Sequence, residues 1–237
     1  MLIDMHAHTS GISHCCRADA RTVLETAAKA GIDGLVLTNH YQEMYVTEAG
    51  AGALAEKYVG EYLHTKKLAD AMGMRLFFGV EVTAKRHANA HILVYGVQAE
   101  FLQAHPEIYD YPLETMYPLV RDAGGILVQA HPFRSGGHVL DVRYLDGIEV
   151  NCHPLYDATH CNEILRIARD EKMIVTCGGD YHADTYRAVC GTYFPDGVTD
   201  EVGIVEYLRS APQIKLHVHE LRTEDHRDVV FNKEKER

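Results

Sequence analysis

Leu2-Ile3-Asp4-Met5-His6-Ala7-His8-Thr9 opens the chain with an apolar run in which titratable side chains take every second position. Successive side chains of a strand point to opposite faces, so Asp4, His6 and His8 are expected to share one face. That face would set two imidazoles close enough to hold one metal ion. An isolated His-x-His pair says little, because an exposed polar strand end gives the same pattern. It gains weight here because His, Asp and Glu recur at the ends of later apolar runs.

Outward from this strand the pattern alternates. A helix is expected from Asp19, which can cap it, with Val23, Leu24, Ala27 and Ala28 on one side and Gly31 closing it. Gly34 to Thr38 reads as a buried strand ending at Asn39-His40. A long helix follows from about Ala53 to Met72, stopped by Gly73. Arg75 to Val82 is a third strand, and the polar stretch Thr83 to Ala90 leads straight into the run His91 to Gly96. No helix fits between these two runs, so they are expected to pair locally and bring Glu81 beside His91. A helix from Leu113 to Ala123 precedes the strand Ile126 to Ala130, which stops at His131-Pro132 because proline cannot continue a central ladder. Next come a strand from Gly147 to Asn151, a helix from Asp157 to Glu171, and a strand from Met173 to Cys177 that runs into Gly178-Gly179-Asp180-Tyr181-His182. Strands Val189 to Phe194 and Ile214 to Leu221 flank a helix near Asp200 to Arg209. The charged tail from about residue 222 is expected to fray.

Strand, helix, strand, helix predicts an α/β fold with a mainly parallel sheet curled into a barrel. A length of 237 residues suits a single domain spanning 1–237. In such barrels the working groups lie at the carboxyl ends of the strands. His6, His8, His40, Glu81, His131, Asn151, Asp180 and His182 all fall there.

Composition narrows the function. The formal net charge of -11 disfavours extended nucleic acid as a partner, which would need a basic stripe. No apolar run approaches the ~20 residues that span a bilayer. Six cysteines without a CxxC pair, and no basic-then-apolar leader, point to a reducing cytoplasm. Sixteen histidines are the anomaly, since imidazole is both the commonest metal ligand and the usual proton carrier near neutral pH.

Nine candidate ligands emerge: His6, His8, His14, His40, Glu81, His91, His131, Asp180 and His182. They are too many for one ion. With Glu81 shared, they suit three sites of three or four protein ligands each, with positions open for water and substrate. Mixed imidazole and carboxylate donors favour Zn, Mn or Fe over Mg or Ca.

With these residues in hand the chain resembles the PHP (polymerase and histidinol phosphatase) superfamily of metal-dependent phosphoesterases. The matching stretches are DMHAHTS with His14 downstream, LTNH, GVE, HILVYG, AHP and GGDYH, in the family's order from Asp4 to His182. The resemblance implies a distorted (β/α)7 TIM-like barrel with a trinuclear centre at its mouth. One metal would take His6, His8, Glu81 and Asp180, a second Glu81, His91 and His131, and the third His14, His40 and His182. A water bridging two dications loses much of its proton affinity and becomes a nucleophile at neutral pH.

Outside the ligand set, Arg134 is a candidate clamp for substrate phosphate, since a planar guanidinium suits two oxygens. Arg17 could act the same way from the opposite loop, and His153 could reach substrate or leaving group. Each has a plainer alternative as a solvated or packing side chain. Cys15 and Cys16 read as bystanders, and Asp19 as a helix cap. The expected activity is hydrolysis of a small phosphomonoester. Phosphodiester cleavage, a metal-dependent amidohydrolase and a metal-binding module without turnover are the alternatives. Oligomeric state is not set by the sequence.

Overall fold

The first strand is closed over by helices and neighbouring strands, and every residue of β1 (Leu2–Ala7) is buried. The computed structural model describes residues 1–155, 159–183, 187–220 and 225–233. Beyond β1 the chain forms α1 (Ala20–Lys29), β2 (Gly34–Leu37), β3 (His40–Tyr41), α2 (Gly50–Met72), β4 (Arg75–Ala84), β5 (Ala90–Tyr95), α3 (Ala99–Ala104) and α4 (Leu113–Asp122). It continues with β6 (Ile126–Gln129), β7 (Gly147–Asn151), α5 (Cys161–Asp170), β8 (Ile174–Gly178), β9 (Gly191–Tyr193), α6 (Glu201–Ser210), β10 (Gln213–Glu220) and β11 (Asp225–Asn232).

Local chemistry sets several of these boundaries. Asp19 caps α1 by accepting from the Thr22 N–H at 2.8 Å, as its position predicts. Asp200 caps α6 in the same way through Gly203. Gly73 ends α2 in the left-handed region at φ 68°, which glycine enters without a Cβ penalty. The short α3 and the two-residue β3 have too few residues to show a period, and the sequence does not announce them.

The strands run in the order β11-β10-β9-β1-β2-β4-β5-β6-β7-β8, with β3 added on β4. Tyr181, just past β8, returns to bridge Ala7 of β1 in parallel, so the sheet curls into a nearly closed barrel. The expectation of a mainly parallel sheet is corrected. Pairs β1–β2, β2–β4, β3–β4, β6–β7 and β7–β8 are parallel, whereas β4–β5, β5–β6, β1–β9, β9–β10 and β10–β11 are antiparallel. For β4–β5 and β10–β11 the cause is connection length, because a parallel crossover needs a dozen or more residues and these links are far shorter. The sheet also carries eleven strands, more than a seven-stranded barrel.

The frayed tail is a second correction. β11 pairs with all of β10, from Gln213↔Asn232 to Glu220↔Asp225, and Phe231 on it is fully buried in the core. Leu221 and the first residues of that tail, and Glu234 to Arg237, lie outside the described residues. So does Asp157, the expected start of α5, whose described helix begins at Cys161.

Candidate metal centre

β1 does not alternate evenly. Its pairing to β2 steps from Asp4↔Leu35 to Ala7↔Leu37, three residues against two, a bulge that re-aims side chains. Ile3 and Met5 pack in the apolar core. His6 and His8 both face the barrel mouth, while Asp4 turns to the N–H groups of Gly179 (2.8 Å) and His6 (3.1 Å) and to Arg187 Nη2 (2.8 Å). The expected shared face therefore holds for the two histidines and not for Asp4.

Each of those histidines is held in one tautomer. His6 Nδ1 donates to Glu149 Oε1 at 2.8 Å, which leaves Nε2 to face the cluster. Ser13 gives its proton to Asn39 Oδ1 at 2.8 Å, so its oxygen accepts from His8 Nδ1 at 3.0 Å and from the His40 N–H at 3.0 Å. Asn39 is fixed in turn by Thr9 through both ends of its amide. Outer partners of this kind orient ligating imidazoles. Gly178 is needed for the fit, because a Cβ there would lie 2.4 Å from the His6 Cβ and 2.8 Å from Glu149 Oε1.

Glu81, on β4 and fully buried, is the hub. Its Oε1 lies 2.8 Å from His91 Nδ1, 3.2 Å from His131 Nε2 and 3.3 Å from His6 Nε2. Its Oε2 lies 2.6 Å from His40 Nδ1 and 3.4 Å from His8 Nε2. Asp180 sits opposite, with Oδ1 3.2 Å from both His8 Nε2 and His182 Nδ1 and 3.6 Å from His6 Nε2. Asp180 at φ 49° and His131 at φ 29° are both left-handed, and such backbone strain concentrates at functional sites.

Burial works against charge on Glu81, yet the facing His40, His91 and His6 outweigh it and hold the carboxyl well below its ordinary value. Asp180 is likewise held well below by His6, His182 and His8 against its own burial. Burial would lower His6, but Glu149, Glu81 and Asp180 raise it well above the imidazole range. Burial similarly opposes the Glu81 carboxylate at His40, which ends at about 9, and Asp180 at His182, which ends at about 10. His8 is pushed well below by burial and by the neighbouring His182 and His40.

Eight of the nine expected ligands meet in this cluster. His14 does not, being exposed with its ring 4.1 Å from that of Tyr45. The next residue, Cys15, although exposed at its surface, takes hydrogen bonds from His182 and His40, which outweigh its partial desolvation and bring its thiol down to about 6. Arg134 reaches the centre, with Nη1 3.0 Å from Asp180 Oδ2. Arg17 is exposed, and its main-chain N–H donates to His182 O at 2.8 Å. His153 is buried, its ring 5.8 Å from that of His182, and it forms a convergent group with Asp180 and His182. Glu149 was missed by sequence reading, although a lone carboxylate inside the apolar run Gly147 to Asn151 was its signal. Ser13 and Asn39 gave no such signal.

The donor set fits a metal cluster. His6/His8/Glu81, His40/Glu81/His91 and His8/His40/His182 each place their ligand atoms within 4.8 Å of one another. Buried His6 Nε2, His40 Nδ1 and Glu81 Oε2 make no well-formed hydrogen bond, an expensive condition that a shared cation would relieve. A cavity of about 470 Å³ adjoins the cluster, lined in part by Asn89, His91, Gln129, His131, Arg134 and His138.

No protein-family model matches the sequence, and no curated protein matches it. Among solved structures the chain is similar to a two-domain protein from Bacteroides vulgatus described as containing a PHP-like metal-dependent phosphoesterase. The TM-score is 0.68 at 15% identity, over 92% of this chain and 65% of that one, so this chain spans less than two thirds of that protein's length. It is similar to a protein from Bifidobacterium adolescentis described as a metal-dependent phosphoesterase (TM-score 0.50, 18% identity, 87% and 95% of the two chains). It is also similar to an amidohydrolase from Chromobacterium violaceum with bound sulfate and no metal (TM-score 0.53, 20% identity, 77% and 88%). The nearly closed α/β barrel around Glu81 is thus the fold of proteins described as PHP-like metal-dependent phosphoesterases.

Proposed function

We propose that the chain is a PHP-superfamily phosphoester hydrolase that acts on a small phosphomonoester with three bound Zn, Mn or Fe ions. The observation that carries this reading is Glu81, a buried carboxylate with five imidazole nitrogens within 3.4 Å. Strands β1, β2 and β4 to β8 would then be the distorted (β/α)7 barrel and the outer strands additions to it. His6, His8, Glu81 and Asp180 would hold one ion, and Glu81, His91 and His131 a second. His40 and His182 would hold the third, which His14 joins only by leaving Tyr45. Bound there, the ions would supply Lewis acidity and lower the proton affinity of water.

The chain's own groups divide the remaining work. Arg134 at the cavity wall would grip phosphoryl oxygens with its planar fork. Its present partner Asp180 marks how near it stands to the centre. His153 holds a proton at a defined atom. Burial keeps its ring neutral, with a pKa of about 4, and its Nδ1 accepts from the Leu155 N–H at 3.1 Å. The ring proton therefore sits on Nε2, which would donate a hydrogen bond to a substrate oxygen. The cavity beside Arg134 would take the leaving group.

Chelator-treated protein should lose hydrolysis of a generic aryl phosphate and regain it on adding Mn or Zn. Unchanged turnover after verified metal removal overturns the proposal. The amidohydrolase neighbour supports one second reading, attack on a C–N bond in the same centre. Its bound sulfate, a tetrahedral oxyanion like phosphate, agrees equally with the first. Turnover of an aryl amide exceeding that of the aryl phosphate would favour the second reading.

A further inference from the structure

Behind the imidazole cluster lies a second convergence of ligand atoms, made only of sulfur. Cys152 follows β7, Cys177 is in β8, and Cys190 immediately precedes β9. All three are at most 1% exposed, and their sulfurs lie within 4.8 Å of one another. Cys152 Sγ and Cys177 Sγ are 3.6 Å apart, close to the edge of about 3.8 Å that tetrahedral thiolates at 2.3 Å from a zinc ion would give. Main-chain groups also meet two of these sulfurs. The N–H of His219 hydrogen-bonds the Cys152 sulfur, and the Cys177 thiol donates to His217 O at 3.3 Å.

We infer that Cys152, Cys177 and Cys190 form a separate, structural site for a thiophilic closed-shell cation, zinc(II) being the one to test. Buried cysteines usually serve as small apolar side chains, and that role does not require three sulfurs from three separated segments to face each other. Sulfur-only donors select zinc or copper(I) over the harder ions that suit the imidazole and carboxylate cluster. Binding involves no redox step: sulfur–metal bonds form, and the displaced thiol protons leave to solvent.

The position gives the site a purpose. Among the described residues β8 is paired to β1 only through the parallel Ala7↔Tyr181 bridge just past its end, and β9 is the antiparallel neighbour of β1. An ion held by Cys152, Cys177 and Cys190 would tie β7 and β8 to the start of β9, adding to the Cys177 N–H bond to Thr192 Oγ1 that already joins β8 and β9. The inference does not depend on the proposed hydrolase activity.

The test is cobalt(II) substitution of the full chain, read by the sulfur-to-cobalt charge-transfer band in the near ultraviolet and by metal content per chain. Cys15→Ser removes the thiol near the imidazoles and should keep the band. Cys190→Ser and Cys152→Ser should each lose the band and one equivalent of metal, with a lower Tm. Should the variants fail to fold, wild type still decides. The inference is overturned if wild-type protein shows no such band, or if the band vanishes in Cys15→Ser. An intact mass lower by two hydrogens, marking a Cys152–Cys177 disulfide, overturns it as well.

Discussion

Glu149→Gln tests the logic of the centre with almost no change of shape. The carboxylate accepts three hydrogen bonds: His6 Nδ1 at 2.8 Å on Oε1, and the His131 N–H and Asn151 Nδ2, both at 3.0 Å, on Oε2. An amide offers one oxygen and one NH2. If its nitrogen takes the Oε2 position, it faces two donors and leaves them unsatisfied, at about 1–3 kcal/mol each. If its nitrogen takes the Oε1 position, it donates to His6 Nδ1. The ring must then carry its proton on Nε2, the atom 3.3 Å from Glu81 Oε1. The second arrangement is the cheaper because it leaves no donor on Oε2 unsatisfied, but it removes the carboxylate paired with the raised, buried His6, so metal-free stability should fall by about 3–5 kcal/mol. Metal binding then has to reverse the tautomer, and loss of such an outer partner typically costs about 10–100-fold in metal affinity. Zinc titration of metal-free protein against a competing chelator gives the affinity, and the ring nitrogen chemical shifts of His6 report the tautomer. Folded Glu149→Gln protein that binds zinc within about twofold of wild type, with Nδ1 still protonated, refutes this account.

Arg134→Ala should raise KM for an aryl phosphate by about 10–100-fold, the worth of one or two charged hydrogen bonds, with kcat changed less. Arg134→Lys should recover only part of this because an ammonium lacks the planar fork, and an unchanged KM in Arg134→Ala removes the residue from substrate binding. Metal-free protein should be most stable near neutral pH. Burial holds His153 at about 4, so the unfolded chain takes up that proton first, and stability complete above pH 6.5 falls by about 3 kcal/mol as pH drops towards 4. His40 and His182, raised to about 9 and about 10, contribute fully below 6.5 and lose their contribution as pH rises through those values. Tm of chelated protein across this range checks both arms, and a flat profile contradicts them. Phe231→Ala in β11 should destabilise by about 3–5 kcal/mol as a buried aromatic truncation, against about 0.5 kcal/mol or less for exposed Val230→Ala. Denaturant unfolding that finds the two equal would mean that the last strand is not part of the core.

The site was legible because a barrel of this kind ends its strands at one mouth, so residues far apart in sequence announce themselves by position alone. His40 after β2, His131 after β6 and the Asp180/His182 pair after β8 could each be found as a polar stop on an apolar run. Periodicity could not show the bulge between Asp4 and Ala7. It is a property of the pairing of β1 with β2, and it moves Asp4 out of the cluster while leaving His6 and His8 in it. His14 and Cys15 are adjacent on a loop with no period, so nothing local says which of the two turns inward. The antiparallel half of the sheet was hidden for a different reason. β11 reads Asp225-His226-Arg227-Asp228, as polar as a solvated tail. Only its pairing with β10 and the burial of Phe231 make it a strand. Glu149 lies between these cases, visible as a charge inside an apolar run but interpretable only once His6 Nδ1 stands beside it. The ligands that contact a metal are thus written into strand ends, where sequence can be read. The groups that fix their protons (Glu149, Ser13 and Asn39) depend on contacts between segments as much as 143 residues apart, and the disposition of those protons decides which imidazole nitrogens are free to bind.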